Sequence, residues 1–516
     1  MKYNDKFPGT FKHSNNKKIS LLLIGKFWVV FLLIFAQSCK SNTNPSATFK
    51  DKFTGEKIEA KLLTGNLSNF EPDGILYFEK NGKIYERVYS RLTPEMFGAK
   101  GDGKTDDYAA IQKMLDSGKS GCTFWFTKGK TYYNAFANNG KWQVPEKRNI
   151  WTRTLPATFL FNGAKLRRRI PQWNDLNTKS NYNTGQFYTD EQSSILYLKG
   201  ENFIIDGADF SSNIPLGNMR DDHSKLTGNT DYAVSTGMSL GLWLDHCKNV
   251  KITNSTFSNT VFPVYITSSS DITLDKVNLK YAAQAYKRIS VGDPATGAGM
   301  KMIKSQNIIA TNIYGYRNAN ATVEVESLNR NVTVQGMSEY DYDTSMTIIS
   351  SENVKIDWVA RNVVHGSGLL IVGTSPNEIP TRNISGKIDV HGTVWCGVLV
   401  WLKDASTNDI SNVDLVVNTS DNGHAGVYLN NESKTGKKIT GLNINHKSVK
   451  DGWGDGFALK VNNAVQGKVQ SDVSGVGTAV RVQGKNTRND LQVKLKADRS
   501  VNKQYEVDAS AAVRKL

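Results

Sequence analysis

Two short phrases recur through most of this sequence, and their recurrence constrains the fold more than any other feature. The first is an Asn or Asp followed by alternating apolar residues: Asn202-Phe-Ile-Ile, Asn249-Val-Lys-Ile, Asp271-Ile-Thr-Leu, Asn307-Ile-Ile-Ala, Asn331-Val-Thr-Val, Asn353-Val-Lys-Ile, Asn383-Ile-Ser-Gly and Asp409-Ile-Ser-Asn. The second alternates with it, as in Gly241-Leu-Trp-Leu, Pro263-Val-Tyr-Ile, Gly299-Met-Lys-Met, Ala321-Thr-Val-Glu-Val, Gly397-Val-Leu-Val, Gly426-Val-Tyr-Leu and Gly456-Phe-Ala-Leu. Successive first phrases lie 22 residues apart from Asn249 to Asp271 and 36 apart from Asp271 to Asn307, intervals in the range of solenoid repeats. Alternation marks strands with one apolar face. No segment between the phrases is long and periodic enough for a crossover helix, which argues against a doubly wound α/β sheet. Such strands bury their apolar faces by stacking coil on coil. The expectation is an all-β parallel β-helix of about ten or more coils.

Composition agrees with a packed interior. With 39% hydrophobic residues and only 12 Pro in 516 residues, disordered and collagen-like chains are excluded.

The N-terminus reads as a targeting segment. Lys2, Lys6, Lys12, Lys17 and Lys18 precede an apolar run from Leu21 to Phe35, and Ala36-Gln37-Ser38-Cys39 follows. That run is shorter than the ~20 residues of a membrane span and fits a secretory signal at residues 1–38. Small residues directly before Cys39 resemble a bacterial lipobox, with Ala36 where Leu is usual; the resemblance implies lipidation of Cys39 and a lipid-anchored tether at 39–51. Removing residues 1–38 takes away six Lys and one Asp and lowers the formal charge from +16 to +11, so the basic excess belongs to the mature protein. Outside the cytoplasm that excess points to anionic glycans or a membrane surface, with no nucleic-acid partner. Cys122, Cys247 and Cys396 are too scattered for a disulfide framework or a zinc site and read as buried thiols.

A small β element is expected at 52–92, because Asn81-Gly82 between two alternating runs suits a type I′ hairpin turn. Asp106 to Gly118 reads as a short amphipathic helix with the Asp106-Asp107 pair in its first turn. The stretch from Thr93 to Asp107 (Thr-Pro-Glu-Met-Phe-Gly-Ala-Lys-Gly-Asp-Gly-Lys-Thr-Asp-Asp), with that helix and then Thr123 to Tyr133, resembles the opening of pectate-lyase-superfamily proteins. The resemblance implies a right-handed parallel β-helix over 93–516, capped by the helix. It leaves the reaction open, because lyases, hydrolases, epimerases and phage tailspikes share the fold. Gly98 to Thr105 also satisfies the phosphate-loop pattern, but no buried strand precedes it, coils follow it, and Asp102, Asp106 and Asp107 would repel a triphosphate, so no nucleotide is expected.

Placing the apolar residues of the second phrase inward leaves an outward stripe of Trp243, Asp245, Tyr265, Lys301, Glu324, Glu326, Thr347, Trp401, Tyr428, Lys460 and Arg481. Aromatic faces stack on sugars and cations pair with acidic substituents, so Trp243, Tyr265, Lys301, Trp401, Tyr428, Lys460 and Arg481 are expected to bind substrate. Glu324 and Glu326, two residues apart on one strand and about 6.6 Å along it, approach the carboxylate spacing of an inverting glycosidase. Like charges so close are expected to raise one pKa, as a general acid needs. Asp341, Asp343 and His365 lie in the following connections, where they would overhang the pair. Gly297 to Asn312 followed by Glu324-Val-Glu326 resembles the catalytic coils of iota-carrageenases, which carry a Glu-x-Asp pair there; that family's glutamine falls on Met302, and its histidine has no counterpart at the expected distance. Three readings result. The first is an endo-acting glycoside hydrolase on an anionic polysaccharide, sulfated or uronate-containing, with Glu324 and Glu326 as acid and base, Asp343 and His365 assisting, and no cofactor required. The second is a polysaccharide lyase, in which the Glu pair holds Ca²⁺ and Lys301 is the base. The third is a non-catalytic glycan-binding surface protein.

Overall fold

The computed structural model describes residues 45–65, 67, 70–135, 150–169, 194–214, 234–235, 239–285, 297–374, 379–453, 456–484, 490–508 and 514–516. The signal segment and Cys39 lie outside the described residues.

Four antiparallel strands form a separate small unit: β1 (Ser46–Lys50), β2 (Lys57–Leu62), β3 (Tyr77–Lys80) and β4 (Lys83–Arg87), in the order β1-β2-β4-β3. Asn81 and Gly82 both take positive φ (54° and 69°), the type I′ turn their sequence suggested. Phe49 stacks on Phe78 at 4.7 Å, and buried Asp51 pairs with Arg87. This corrects the tether: Ser46–Lys50, expected to be loose polar chain, pairs residue by residue with Lys57–Lys61.

The second unit is the parallel β-helix. Among the described residues one 27-stranded sheet runs through it, and each coil pairs in parallel with the next; the fold is all-β apart from helix α1 (Tyr108–Ser117) and a single 3₁₀ turn at Pro94–Phe97. The longest strand shows how one coil is made. Leu240–Ser258 pairs its first stretch with Phe262–Thr267 and its later stretch with Ser270–Lys280, so a single strand bends across two faces. The bends fall where the backbone turns left-handed, at His246, Asn249 and Asn254 (φ 50–54°). Asn tolerates that conformation better than β-branched residues, which explains why the first phrase opens on it. The Asn side chains then bond from coil to coil: Asn331 donates to Asn307 (3.0 Å), Asn353 to Asn331 (3.0 Å), Asn383 to Asn353 (2.9 Å) and Asn412 to Asn383 (3.0 Å). The rung after Asn383 is therefore Asn412, and the expected phrase at Asp409 is three residues out of phase.

Inward residues of the second phrase, among them Leu242, Val264, Met300, Val323, Met346, Leu369 and Val398, are fully buried. Each contributes about 1.5–3 kcal/mol of burial, as an upper bound. The first coils are filled instead by a column of Phe rings, with Phe126 and Phe161 stacked at 4.4 Å. Helix α1 buries Ile111, Met114 and Leu115. Asp107 does not serve the helix dipole as expected: its buried carboxylate turns away to accept the amides of Lys100 (2.6 Å) and Gly101 (3.2 Å). The same amides shape the Gly98 to Thr105 loop, and Asp102 closes it by accepting Lys104 N at 2.9 Å and Thr105 N at 2.7 Å.

Candidate active site

Parallel register converts the second phrase into one outward column. From coil to coil it runs Tyr197, Trp243, Tyr265, Lys301, Glu324, Thr347, Leu370, Leu399, Tyr428, Lys460, Arg481 and Glu506. A second column two residues on carries Glu326, Ile349, Val372, Trp401 and Asn430. Trp401 thus shares a line with Glu326 and not with Glu324, and Leu370 and Leu399 fill the line where aromatic or charged residues were expected.

Lys301 organises the centre of the first column. Its Nζ lies 3.0 Å from Glu324 Oε2 and also contacts Glu326 Oε2. Burial opposes the ammonium charge, yet the two carboxylates outweigh burial and hold Lys301 protonated above the ordinary lysine range. Glu324 is only 5% exposed, which corrects the expectation of an open strand carboxylate; Asn320 Nδ2 donates to its other oxygen. Glu326 keeps 31% of its side chain in solvent. Since both carboxylates reach one nitrogen, their nearest oxygens are no farther apart than two hydrogen-bond lengths, about 6 Å. The expected inverting-type separation is therefore absent, because a cation draws the pair together. Aromatic rings shelter the cation: Phe262 lies 5.3 Å from Lys301 Nζ and stacks on Tyr265 at 5.3 Å. Trp243 continues that wall 5.9 Å from Tyr265, its indole N–H donating to Thr267 Oγ1 at 2.8 Å.

The preceding turns form a rim over this column. Thr344 N donates to Asn320 O (2.9 Å) and His365 N to Tyr342 O (2.7 Å), so the Asn320, Asp343 and His365 turns stack on successive coils. Asp343 Oδ1 is 3.5 Å from His365 Nδ1, and the imidazole lies flat against Tyr342, 5.3 Å between centroids. Donation of the His365 Nδ1–H to the Asp343 carboxylate raises the His365 pKa, against a smaller opposing effect of burial. Asp341 does not join them. It is completely buried, accepts Asn318 N (3.0 Å) and Thr322 Oγ1 (2.7 Å), and burial pushes its pKa up to about 7. Asp341-Tyr342-Asp343 is a turn between strands, where strand alternation no longer holds, and it carries Asp341 inward while the Asp343 side chain keeps 33% of its surface in solvent.

Farther along, the expected binding residues separate. Arg481 is engaged by Glu506 (2.5 Å) and Asp508 (2.9 Å), which removes it as an available cation. Tyr428 is 7% exposed and belongs to a covered cluster with Cys396 and Leu399, packed against Trp395 and Trp401. Trp401 donates to Glu432 Oε2 at 2.8 Å. Lys460 lies 4.7 Å from the Tyr428 ring and 3.0 Å from His424 Nε2. Burial lowers the pKa of both Lys460 and His424, and the lysine charge lowers His424 further. Asn320, Phe262, Trp395 and His424 were missed from sequence. A signal existed for the last two: each stands two residues before the glycine of a second phrase, at Gly397 and Gly426.

Cys122, Cys247 and Cys396 are free thiols. Among the described residues no group of three or more His, Cys, Asp or Glu side chains is placed to hold a metal ion, and no helix is long and apolar enough to cross a membrane. No protein-family model matches the sequence, and no curated protein matches it. Solved structures similar to the chain include the Yersinia enterocolitica family 28 exopolygalacturonase (14% identity, 84% of this chain and 78% of that one, TM-score 0.41). Others are the Azotobacter vinelandii mannuronan C-5 epimerase A-module (13%, 82% and 99%, TM-score 0.43) and the bacteriophage Phi29 gene product 12 N-terminal fragment (14%, 81% and 72%, TM-score 0.46). The likeness is one of fold alone, the parallel β-helix that the strand pairing shows.

Proposed function

We propose that this chain is an exported, endo-acting glycoside hydrolase of an anionic polysaccharide, with Glu324 and Glu326 as its carboxyl pair. The observation that carries the reading is the ammonium of Lys301 bridging both carboxylates in an outward column walled by Tyr265 and Trp243. In the resting arrangement the pair is too close for the ~6.5–9.5 Å gap that admits an attacking water. A sulfate or carboxylate on the substrate competes with the glutamates for Lys301 and draws it aside. The glutamates then separate. One protonates the leaving glycosidic oxygen as the C–O bond breaks, and the other takes the proton of the water that forms the new C–O bond. His365, oriented by Asp343, assists from the rim, while Trp243 and Tyr265 stack on sugar rings.

The lyase alternative asks Lys301 to be a base and the Glu pair to bind Ca²⁺. A lysine held protonated by two carboxylates is a poor proton acceptor, and its ammonium already supplies the pair's counter-charge. In this reading the basic N-terminus exports the protein and a lipid on Cys39 anchors it. Incubating the purified protein with polygalacturonate and with iota-carrageenan tests the reaction type. New reducing ends without ultraviolet absorbance from an unsaturated uronide support hydrolysis; the absorbance would establish elimination instead, and neither signal on any anionic glycan refutes the enzyme.

A further inference from the structure

Beyond the carboxylate pair, the rim continues through Trp395 and His424. His424 N donates to Trp395 O at 2.7 Å, and the two rings stack with centroids 6.3 Å apart. Lys460 differs from the other cations of the column. Lys301 and Arg481 are saturated by carboxylates, whereas among the described residues Lys460 has no ion pair; its ammonium meets His424 Nε2 and the faces of Tyr428 (4.7 Å) and Phe457 (5.8 Å). An ammonium packed among rings with no counter-ion is well placed to receive an anion.

Trp453 is a second, independent feature of the same stretch. Its side chain is 54% exposed, unusual for so large an apolar group. The residues just before the indole are tied down by hydrogen bonds. Gly452 N donates to Asn422 O at 2.6 Å, and the neighbouring Asp451 is buried and accepts Asn422 N (3.1 Å) and Nδ2 (2.7 Å). The ring lies so close over Gly423 that a Cβ there would stand 3.2 Å from it. A solvent-facing indole over Gly423, the residue next to the histidine that meets this ammonium, suits a pyranose ring carrying a negative substituent.

We infer that Trp453, Trp395, His424 and Lys460 form a binding subsite for an anionic sugar unit, separate from the Glu324 and Glu326 pair. The inference rests on the anionic-polysaccharide reading above and extends it. Six ladder steps separate Lys301 from Lys460, about 29 Å at the spacing of paired strands. Only an extended glycan occupies both places. The far subsite therefore holds the chain while an internal bond meets the carboxylates, which is the geometry of endo action.

Affinity electrophoresis of the full chain tests this in gels containing polygalacturonate (carboxylate), iota-carrageenan (sulfate) or neutral galactan. Wild type should be retarded in at least one anionic gel and not in the neutral one. Trp453→Ala, an exposed position that leaves folding intact, and Lys460→Met should each weaken that retardation at least tenfold, while Lys496→Met, an exposed lysine outside both sites, should bind like wild type. Whichever anionic gel retards the protein identifies the substituent. Retardation in neither anionic gel, equal retardation in neutral galactan, or unchanged binding by Trp453→Ala and Lys460→Met overturns the subsite. Failure of the carboxylate pair is distinguishable, since it would appear as Glu324→Gln retaining turnover whatever the gels report.

Discussion

Lys301 and Glu324 are direct neighbours in the parallel ladder, and their charged ends meet 3.0 Å apart on the outer face of the β-helix. Because Glu326 contacts the same nitrogen, the three side chains form one unit, and replacing any member leaves a charge with less compensation.

Glu324 and Glu326 should therefore differ in stability while agreeing in activity. Either change to Gln should lower turnover at least ~10²-fold, as loss of a general acid or base does. Glu324→Gln should also cost about 1.5–3 kcal/mol, because a buried charged hydrogen bond is lost. Glu326→Gln, at the solvent edge, should cost under ~1 kcal/mol. Urea denaturation beside a reducing-end assay measures both, and wild-type turnover by either variant would remove the pair from the mechanism.

Lys301→Met separates substrate binding from chemistry. For a hydrolase that uses Lys301 to recognise an anion, KM should rise while saturated turnover falls far less, and added salt should raise the wild-type KM in the same sense. A chelator should leave the wild type active. Complete loss of saturated turnover in Lys301→Met, or sensitivity to chelation, would favour elimination.

His365 gives a pH handle whose sign is fixed by its partner. Asp343 raises its folded pKa, so the stabilisation from this contact is complete below the unfolded value near 6.5. It fades as pH rises through the raised value. Asp343→Asn should shift the imidazole titration, followed by NMR, back toward the ordinary range. An unmoved titration would show that Asp343 does not control it.

Asn353 tests the turn ladder. Its φ of 58° is left-handed, and its amide bonds both to Asn331 and from Asn383. Asn353→Ala should cost about 1–3 kcal/mol from backbone strain and two lost hydrogen bonds. Asn353→Gly should be milder, since glycine removes the strain alone. Equal losses in denaturant titrations would assign the whole effect to the side-chain bonds.

Cys39→Ala should move the protein from the membrane fraction to the soluble one if a lipid on that thiol is the anchor. Unchanged partitioning in cell fractionation would assign anchoring to another segment.

Much of this architecture was legible in the chain itself. Alternation with a left-handed Asn at each bend dictates strands, their inward faces and their stacking, because burial and backbone sterics act locally and repeat in every coil. For the same reason Tyr265, Lys301, Glu324 and Lys460 were correctly placed on one outward line. Sequence does not supply phase where a repeat slips: Asp409 mimics the rung that Asn412 occupies, and nothing local signals that the turn carries Asp341 inward.

What the outward residues do to one another was decided only by tertiary structure. Glu324 and Glu326 look like a free acidic pair until the neighbouring coil delivers Lys301 between them. Arg481 looks available until the following coil brings Glu506 and Asp508 against it. Lys460 meets rings and a histidine in place of an acid. Electrostatic partners in a solenoid come from the coils before and after. Their identity depends on register across chain segments of unequal length, and no local pattern in the sequence carries that information.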